Sequence, residues 1–463
     1  MRAAAFRRVG ALLAACLLTL AGGCSTAPTR NGHAPGSAAR PTGALPTGPR
    51  AGDVPLSPFY RWDGPLPARP GALLREEPAK AQPEIDAAGT ALRILYVSTD
   101  ARWGSGPIPV SGTVYLPVGT PPAGGWPIAA WAHGTLGVAD VCAPSWTGHK
   151  PRDAAYVNRW LKAGFAVVAT DYQGLGGPGP HAYLLWEAEG RSVLDAVRAA
   201  LGGRPGLLAN DVIVTGQSQG SGAALGTARI AGRYAPDVRL RAVIATGVVS
   251  TFPNGPYGPA PAPEGRSPHF TILSLVGGGL RDDAPDVDAL VSARARPLLE
   301  AARSGCSPQM AAQARALKLG MADAFTVGPE ALARLRLPVT DMEAVKLPVP
   351  LLLGTGSADR TIAPQRQFTA VAALCAAGNA VTWKPYPGVG HDGSPHAAFD
   401  DALAFAQAAR AGRPLPGNCA QGSAPGASEP GASAPRASAS VPRAPASKPD
   451  AQAPFTPGRA DRE

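Results

Sequence analysis

The rhythm of apolar positions changes along this chain. Residues 92–99 and 110–116 alternate apolar with polar side chains, the period-2 pattern of strands that turn one face to a core, and read as antiparallel. Residues 127–132, 165–170, 212–215, 241–246, 349–353 and 381–386 are instead short, nearly continuous apolar runs, as expected of strands buried on both faces. Helical periodicity fills the gaps at 153–163, 186–201, 220–233, 364–376 and 395–411. Strands alternating with helices predict an α/β fold: a mostly parallel sheet flanked by helices on both faces.

One interval breaks the alternation. About a hundred residues, 247–346, separate two expected strands, too many for a structureless connection. They contain a Pro/Gly-rich loop (252–268), an apolar stretch (270–280) and helical patterns at 285–303, 308–319 and 329–335. We read this insertion as a helical cap over the C-terminal edge of the sheet, where α/β folds bind ligands. A separate domain with no role in the site is the alternative. The core is then 53–246 with 347–419. Within the insertion, Phe270, Ile272, Leu273, Leu275 and Val276 form the most apolar run. It either lines the ligand pocket under the cap or forms the cap's own core.

The ends have a different composition. Arg2, Arg7 and Arg8 precede an apolar stretch at 9–20, too short to span a bilayer. The run Leu20-Ala21-Gly22-Gly23-Cys24-Ser25 looks like a bacterial lipobox, with Ala21 where Leu is most usual. Residues 1–23 therefore read as a lipoprotein-type signal peptide and Cys24 as a lipidation site, with attachment to the outer membrane or a periplasmic membrane face. Ordinary cleavage and secretion is the alternative. Residues 24–52 form a Pro/Gly/Ala-rich flexible tether, and 420–463 a disordered low-complexity tail. The formal charge of +10 divides into +6 for residues 1–52, +1 for 420–463 and +3 for the core. A core so close to neutral gives no footprint for nucleic acid.

The candidate chemistry centres on Gly216-Gln217-Ser218-Gln219-Gly220. A β-branched run enters it and a small-residue helix leaves it, the strand–turn–helix setting of a nucleophile elbow. A serine hydroxyl needs a base, and the base an orienting acid. Asp359 follows one expected strand and His391 the next, giving the order Ser, acid, His. His396 is the fallback base, and Asp392 and Asp341 are weaker candidates for the acid. An oxyanion hole requires N–H donors; Gln219, directly after the serine, supplies one, and the His133-Gly134-Thr135 loop the other through Gly134 or Thr135. His133 reads as a loop-fixing residue.

Four cysteines lie in the core, Cys142, Cys306, Cys375 and Cys419; an even number in an exported chain points to two disulfides, with three possible pairings. Their spacing does not resemble a zinc site.

The segment Asp171-Tyr172-Gln173-Gly174-Leu175-Gly176, the following Gly179-Pro180-His181-Ala182-Tyr183, and the run His133-Gly134-Thr135-Leu136-Gly137 leading to Cys142 resemble the secretory lipase family, the lipase-A-like α/β-hydrolases. The likeness runs from about Leu92 to Cys419. It implies an α/β-hydrolase core with a helical cap, ester hydrolysis through an acyl-enzyme, and neither metal nor cofactor. Carried over by residue, it implies the triad Ser218, Asp359 and His391, and the pairs Cys142–Cys306 and Cys375–Cys419. The expected partner is an ester or lipid substrate. A carboxylesterase for short-chain or aromatic esters is the alternative, and a non-catalytic envelope lipoprotein the reading from another class.

Overall fold

Nine strands form one sheet among the residues that the computed structural model describes, 43–258 and 267–419. The expected signal peptide, Cys24, the tether as far as residue 42, residues 259–266 and the C-terminal tail lie outside the described residues. The strands are β1 (Leu73–Pro78), β2 (Ala88–Thr99), β3 (Pro107–Pro117), β4 (Trp126–Ala132), β5 (Ala166–Thr170), β6 (Leu208–Gln217), β7 (Leu240–Thr246), β8 (Leu351–Gly356) and β9 (Val381–Tyr386), in spatial order β1-β2-β3-β5-β4-β6-β7-β8-β9. The first four in that order pair antiparallel, and from β5 to β9 every pairing is parallel. β1 was not expected from the apolar pattern. It is a charged edge strand, Leu-Leu-Arg-Glu-Glu-Pro, joined to β2 in part through the cross-strand Glu77–Arg93 ion pair.

Helices α1 (Pro144–Thr147), α2 (Pro151–Lys162), α3 (Trp186–Gly203) and α4 (Gln219–Tyr234) alternate with the central strands. The parallel strands are apolar throughout because both faces are covered. On one side Tyr156 and Trp160 of α2 pack with Phe165 and Phe399; on the other, α3 and α4 bury Val193, Leu194, Leu225 and Ile230. α3 and α4 approach closely at Gly190, where an added Cβ would lie 2.9 Å from the Gly226 carbonyl carbon.

Between β7 and β8 lie α5 (Pro268–Val276), α6 (Val287–Leu290), α7 (Arg296–Ser304), α8 (Ser307–Ala316), α9 (Met321–Ala324) and α10 (Pro329–Leu335). The single helix expected over 285–303 is split in two. Pro297 has no N–H to give, so a new helix starts around it instead of running through. Ile272, Leu273, Leu275 and Val276 of α5 are buried with Leu298 and Met310 in a cluster of the insertion's own, which also takes in Val138 and Tyr183 from the sheet side; Phe270 is partly buried against it. After β8 come α11 (Pro364–Ala376), α12 (Ser394–Ala397) and α13 (Phe399–Arg410).

Residues 43–52, the last part of the expected tether, are seated on the fold. Gly52 is buried and its carbonyl accepts from Asp140 N at 3.0 Å, Asp53 accepts from Gly179 N at 2.8 Å, and Arg50 pairs with Asp286 and Asp288 of the insertion. Composition hides this, because the anchoring is done by backbone groups and by one charge.

Cys142 is bonded to Cys306 and Cys375 to Cys419, the pairs that the family resemblance implies. The first ties the segment after β4 to the start of α8, the second the end of α11 to the chain beyond α13.

Candidate active site

The parallel strands end level with one another. Ala132 of β4 is paired with Gly216 of β6, Gly216 with Ala245 of β7, and Thr246 with Gly354 of β8. The loops that follow these strands therefore share one edge. From β4 the chain passes to β5 on one side, and β6 lies on the other, so this is a point where the topology reverses and leaves a crevice.

Ser218 stands between β6 and α4 with φ 58° and ψ −120°, a region that costs a residue with a Cβ about 1–3 kcal/mol. The neighbouring glycines are sterically required. A Cβ on Gly216 would lie 2.0 Å from the Gly220 oxygen, and one on Gly220 would lie 1.9 Å from the Ala132 oxygen. The turn is fastened by Ser218 N–H donating to Thr246 O (3.0 Å) and Ser221 Oγ donating to Ser218 O (2.6 Å). Ser218 remains partly exposed.

Asp359 sits just past β8 with its carboxylate fully buried. Four donors converge on it. Thr361 N–H and Ile362 N–H reach Oδ1 at 2.8 Å each, Gln367 Nε2 reaches Oδ2 at 2.9 Å, and His391 Nδ1 reaches Oδ2 at 2.7 Å. The last bond fixes the imidazole as the Nδ1–H tautomer and leaves Nε2 as the basic nitrogen. Gly247, just after β7, makes room for the ring: a Cβ there would lie 2.9 Å from His391 Cε1.

Ser218 and His391 meet through shared neighbours. Gln217 Nε2 donates to the His391 carbonyl at 3.2 Å, while no hydrogen bond joins Ser218 Oγ to His391 among the described residues. Nucleophile–base contacts often tighten only when substrate binds.

Gly134 lies against the serine; a Cβ on it would lie 3.6 Å from Ser218 Cβ and 2.7 Å from Gln217 Oε1. Thr135 Oγ1 is hydrogen-bonded to Tyr183 OH at 2.7 Å, and the Thr135 carbonyl accepts from Lys150 Nζ at 3.3 Å. His133 is buried with its ring nitrogens facing the Gly134 and Asp171 carbonyls, and burial holds its pKa below the usual histidine value. Gln219 opens α4, where a helix provides no acceptor for the first backbone N–H groups.

The weaker candidates are engaged elsewhere. His396 Nε2 faces the Arg152 carbonyl at 3.0 Å, and Asp392 is exposed and paired with Arg152. Asp341 accepts from Thr251 Oγ1. Three supporting residues escaped the sequence reading: Gln367, Gln217 and Gly247. No motif marks Gln367 or Gly247, and the motif around Ser218 leaves the residue type at Gln217 open, so each acts through its position after folding.

Residues 144–254, which hold the Ser218 turn, match the profile of the secretory lipase family. No curated protein matches the chain. Among solved structures, lipase A of Candida antarctica in its closed state is similar at 20% identity, over 80% of this chain and 88% of that one, with a TM-score of 0.58. A rice cell wall degrading esterase of Xanthomonas oryzae is similar at 18% identity, over 72% and 97%, with a TM-score of 0.54. A hydrolase of Legionella pneumophila described as putative gives 16% identity, 73% and 98%, and a TM-score of 0.54. At such identities these likenesses speak for the fold alone. With the family match over the Ser218 turn and this α/β-hydrolase fold, the chain is an ester-hydrolysing enzyme.

Proposed function

We propose that Ser218, His391 and Asp359 form the catalytic triad of a serine hydrolase acting on carboxylic esters, acylglycerols included. The observation that carries the reading is the 2.7 Å bond between His391 Nδ1 and a fully buried, four-donor Asp359, at the sheet edge where Ser218 is held in a strained turn. Ser218 Oγ attacks the ester carbonyl and His391 Nε2 takes its proton. The tetrahedral oxyanion is met by Gln219 N–H and by the Gly134–Thr135 loop. The carbon–oxygen bond to the alcohol then breaks, and His391 returns the proton to that oxygen. Water repeats the sequence and frees the acid.

The helices of residues 247–346 act as a cap in this reading. Their support is the disulfide from Cys306 to Cys142 and the contact of α5 with Tyr183, which itself bonds Thr135. Residues 1–23 direct export, and Cys24 is lipidated, fixing the enzyme to a membrane through the tether. Esters of short or aromatic acids are the rival substrate class, and one of the similar folds is indeed described as a cell wall degrading esterase.

The test is turnover of a p-nitrophenyl ester series of rising acyl length, together with fluorophosphonate labelling. Ser218→Ala is expected to lower kcat by at least about 10⁴-fold and to abolish labelling while the fold stays intact. A well-folded variant that keeps most of its activity would refute the assignment.

A further inference from the structure

On the side of the serine turn away from His391, a second carboxyl group is wholly buried. Glu189 of α3 lies beside Gln219, the residue that follows the nucleophile. The Gln219 amide donates both of its Nε2 hydrogens, one to Glu189 Oε1 at 2.7 Å and one to His181 Nε2 at 2.8 Å. His181 Nδ1 in turn donates to the Gln173 carbonyl at 2.9 Å, so its Nε2 must be a bare acceptor. Leu184 N–H supplies a second bond to Glu189 Oε1 at 2.9 Å. Oε1 thus receives two donors.

Two buried atoms are then left without partners: Glu189 Oε2 and Gln219 Oε1. Both are acceptors if Glu189 is ionised, and two orphaned acceptors in one buried cluster are costly. A single proton on Oε2 turns one of them into a donor. The acid and the amide can then pair reciprocally, N–H to Oε1 and O–H to the amide oxygen.

We propose that Glu189 works as a neutral carboxylic acid, a positioning residue that grips the Gln219 side chain and so holds the Gln219 backbone N–H in place for the oxyanion. The inference rests on the serine-hydrolase reading above. Burial acts in the same direction, raising the Glu189 carboxyl to about 8.

The surrounding groups offer no compensating positive charge. On α3, Arg191 is spent on Glu187 and on the Asp100 carbonyl. From the loop before α3 come His181, which burial lowers to about 3, and the Tyr172 phenol, which burial holds well above its usual value. From α4 comes Gln219, which carries no charge. Among the described residues no ion pair reaches Glu189.

The consequence is a loss of activity as pH rises through about 8, when Glu189 gives up its proton, both of its oxygens become acceptors and the grip on Gln219 Oε1 is lost. Burial also raises Asp140 to about 8, but that residue sits beside Val54 and Gly176, so a variant at position 189 separates the two.

The experiment compares the full-length wild type with Glu189→Gln and Glu189→Ala. Glu189→Ala is expected to lower kcat at pH 7 about tenfold with KM within about twofold. Glu189→Gln, which also presents a donor and an acceptor, recovers most of that loss and flattens the alkaline fall of kcat. Difference infrared spectroscopy at pH 7 should show a protonated carboxyl band that Glu189→Gln lacks. An alkaline fall unchanged in Glu189→Gln, or no such band, overturns the proposal. If Glu189→Ala does not fold, the wild type and Glu189→Gln still decide it. Fluorophosphonate labelling of wild-type Ser218 separates the two levels: its failure sinks the serine-hydrolase reading and leaves the infrared result intact.

Discussion

The two sides of the Ser218 turn solve the same problem in opposite ways. On the side proposed to hold the base, Asp359 is buried under four donors, two of them backbone N–H groups. On the side proposed to hold the oxyanion, Glu189 is buried just as deeply but has two donors on one oxygen and none on the other. A carboxyl surrounded by donors is suited to carry charge and to steady an imidazolium. A carboxyl left short of donors is suited to stay neutral and to hold an amide. Burial alone therefore does not decide what a buried acid does; the count and kind of its neighbours decide.

The sharpest way to break the comparison is to make the same carboxyl-to-amide exchange on both sides. Asp359→Asn replaces one acceptor with a donor facing His391 Nδ1, which favours the wrong tautomer. It should cost about 10⁴-fold in kcat, as such an exchange does in a serine triad. Glu189→Gln should cost no more than a few-fold at neutral pH. Steady-state kinetics on one p-nitrophenyl ester, with circular dichroism to confirm folding, checks both. Comparable losses at the two positions would show that the two acids do not differ in kind.

The same contrast explains what the sequence revealed. The parallel sheet was legible because strands covered on both faces must be apolar runs, and the elbow because its glycines are forced by backbone oxygens that an added Cβ would meet at 2.0 and 1.9 Å. Asp359 and His391 were legible because each follows a strand in the chain order of the fold. β1 was not, since an edge strand can carry charge. Gln367, Gly247 and Glu189 were not, since each is brought to the site by a different element and none lies in a motif around the serine; the part played by Gln217 was not, since the motif accepts any residue type at that position. Glu189 falls in the first turn of a helix whose pattern reports only that it is amphipathic. The place of residues 43–52 was hidden because glycine-rich composition describes freedom in the unfolded chain, not the backbone hydrogen bonds formed after folding.

The two disulfides extend the comparison. Cys375–Cys419 braces the base side, joining the helix after the Asp359 loop to the segment after the last helix, where Asn418 is hydrogen-bonded to Trp383 of β9. Cys142–Cys306 braces the oxyanion side, next to the Gly137–Cys306 bridge and the bond from Ser307 N to Leu136 O at 2.7 Å. Replacing either pair by serines should lower stability by about 2–5 kcal/mol, measured by denaturant titration. Only the Cys142→Ser/Cys306→Ser protein should also lose kcat under conditions where it is still fully folded, because Leu136 adjoins Thr135. Equal loss of kcat in both double variants would mean that the bridges act on stability alone.

The smallest expected effect probes how the oxyanion loop is steadied. Thr135 Oγ1 and Tyr183 OH are 2.7 Å apart, and Tyr183 packs with the apolar cluster of the inserted helices. The bond therefore links the loop that faces the serine to the insertion. A neutral hydrogen bond of this kind contributes about 0.5–1.5 kcal/mol. Tyr183→Phe removes the hydroxyl and keeps the ring, so kcat/KM should fall about two- to tenfold with little change in thermal stability. Thr135→Val should give a loss of the same order. If the pair acts as a unit, the double variant should be hardly worse than either single one, since the second substitution has no bond left to remove. Losses that multiply would show that the two hydroxyls serve the loop independently, and that the insertion reaches the oxyanion side only through its disulfide and its packing.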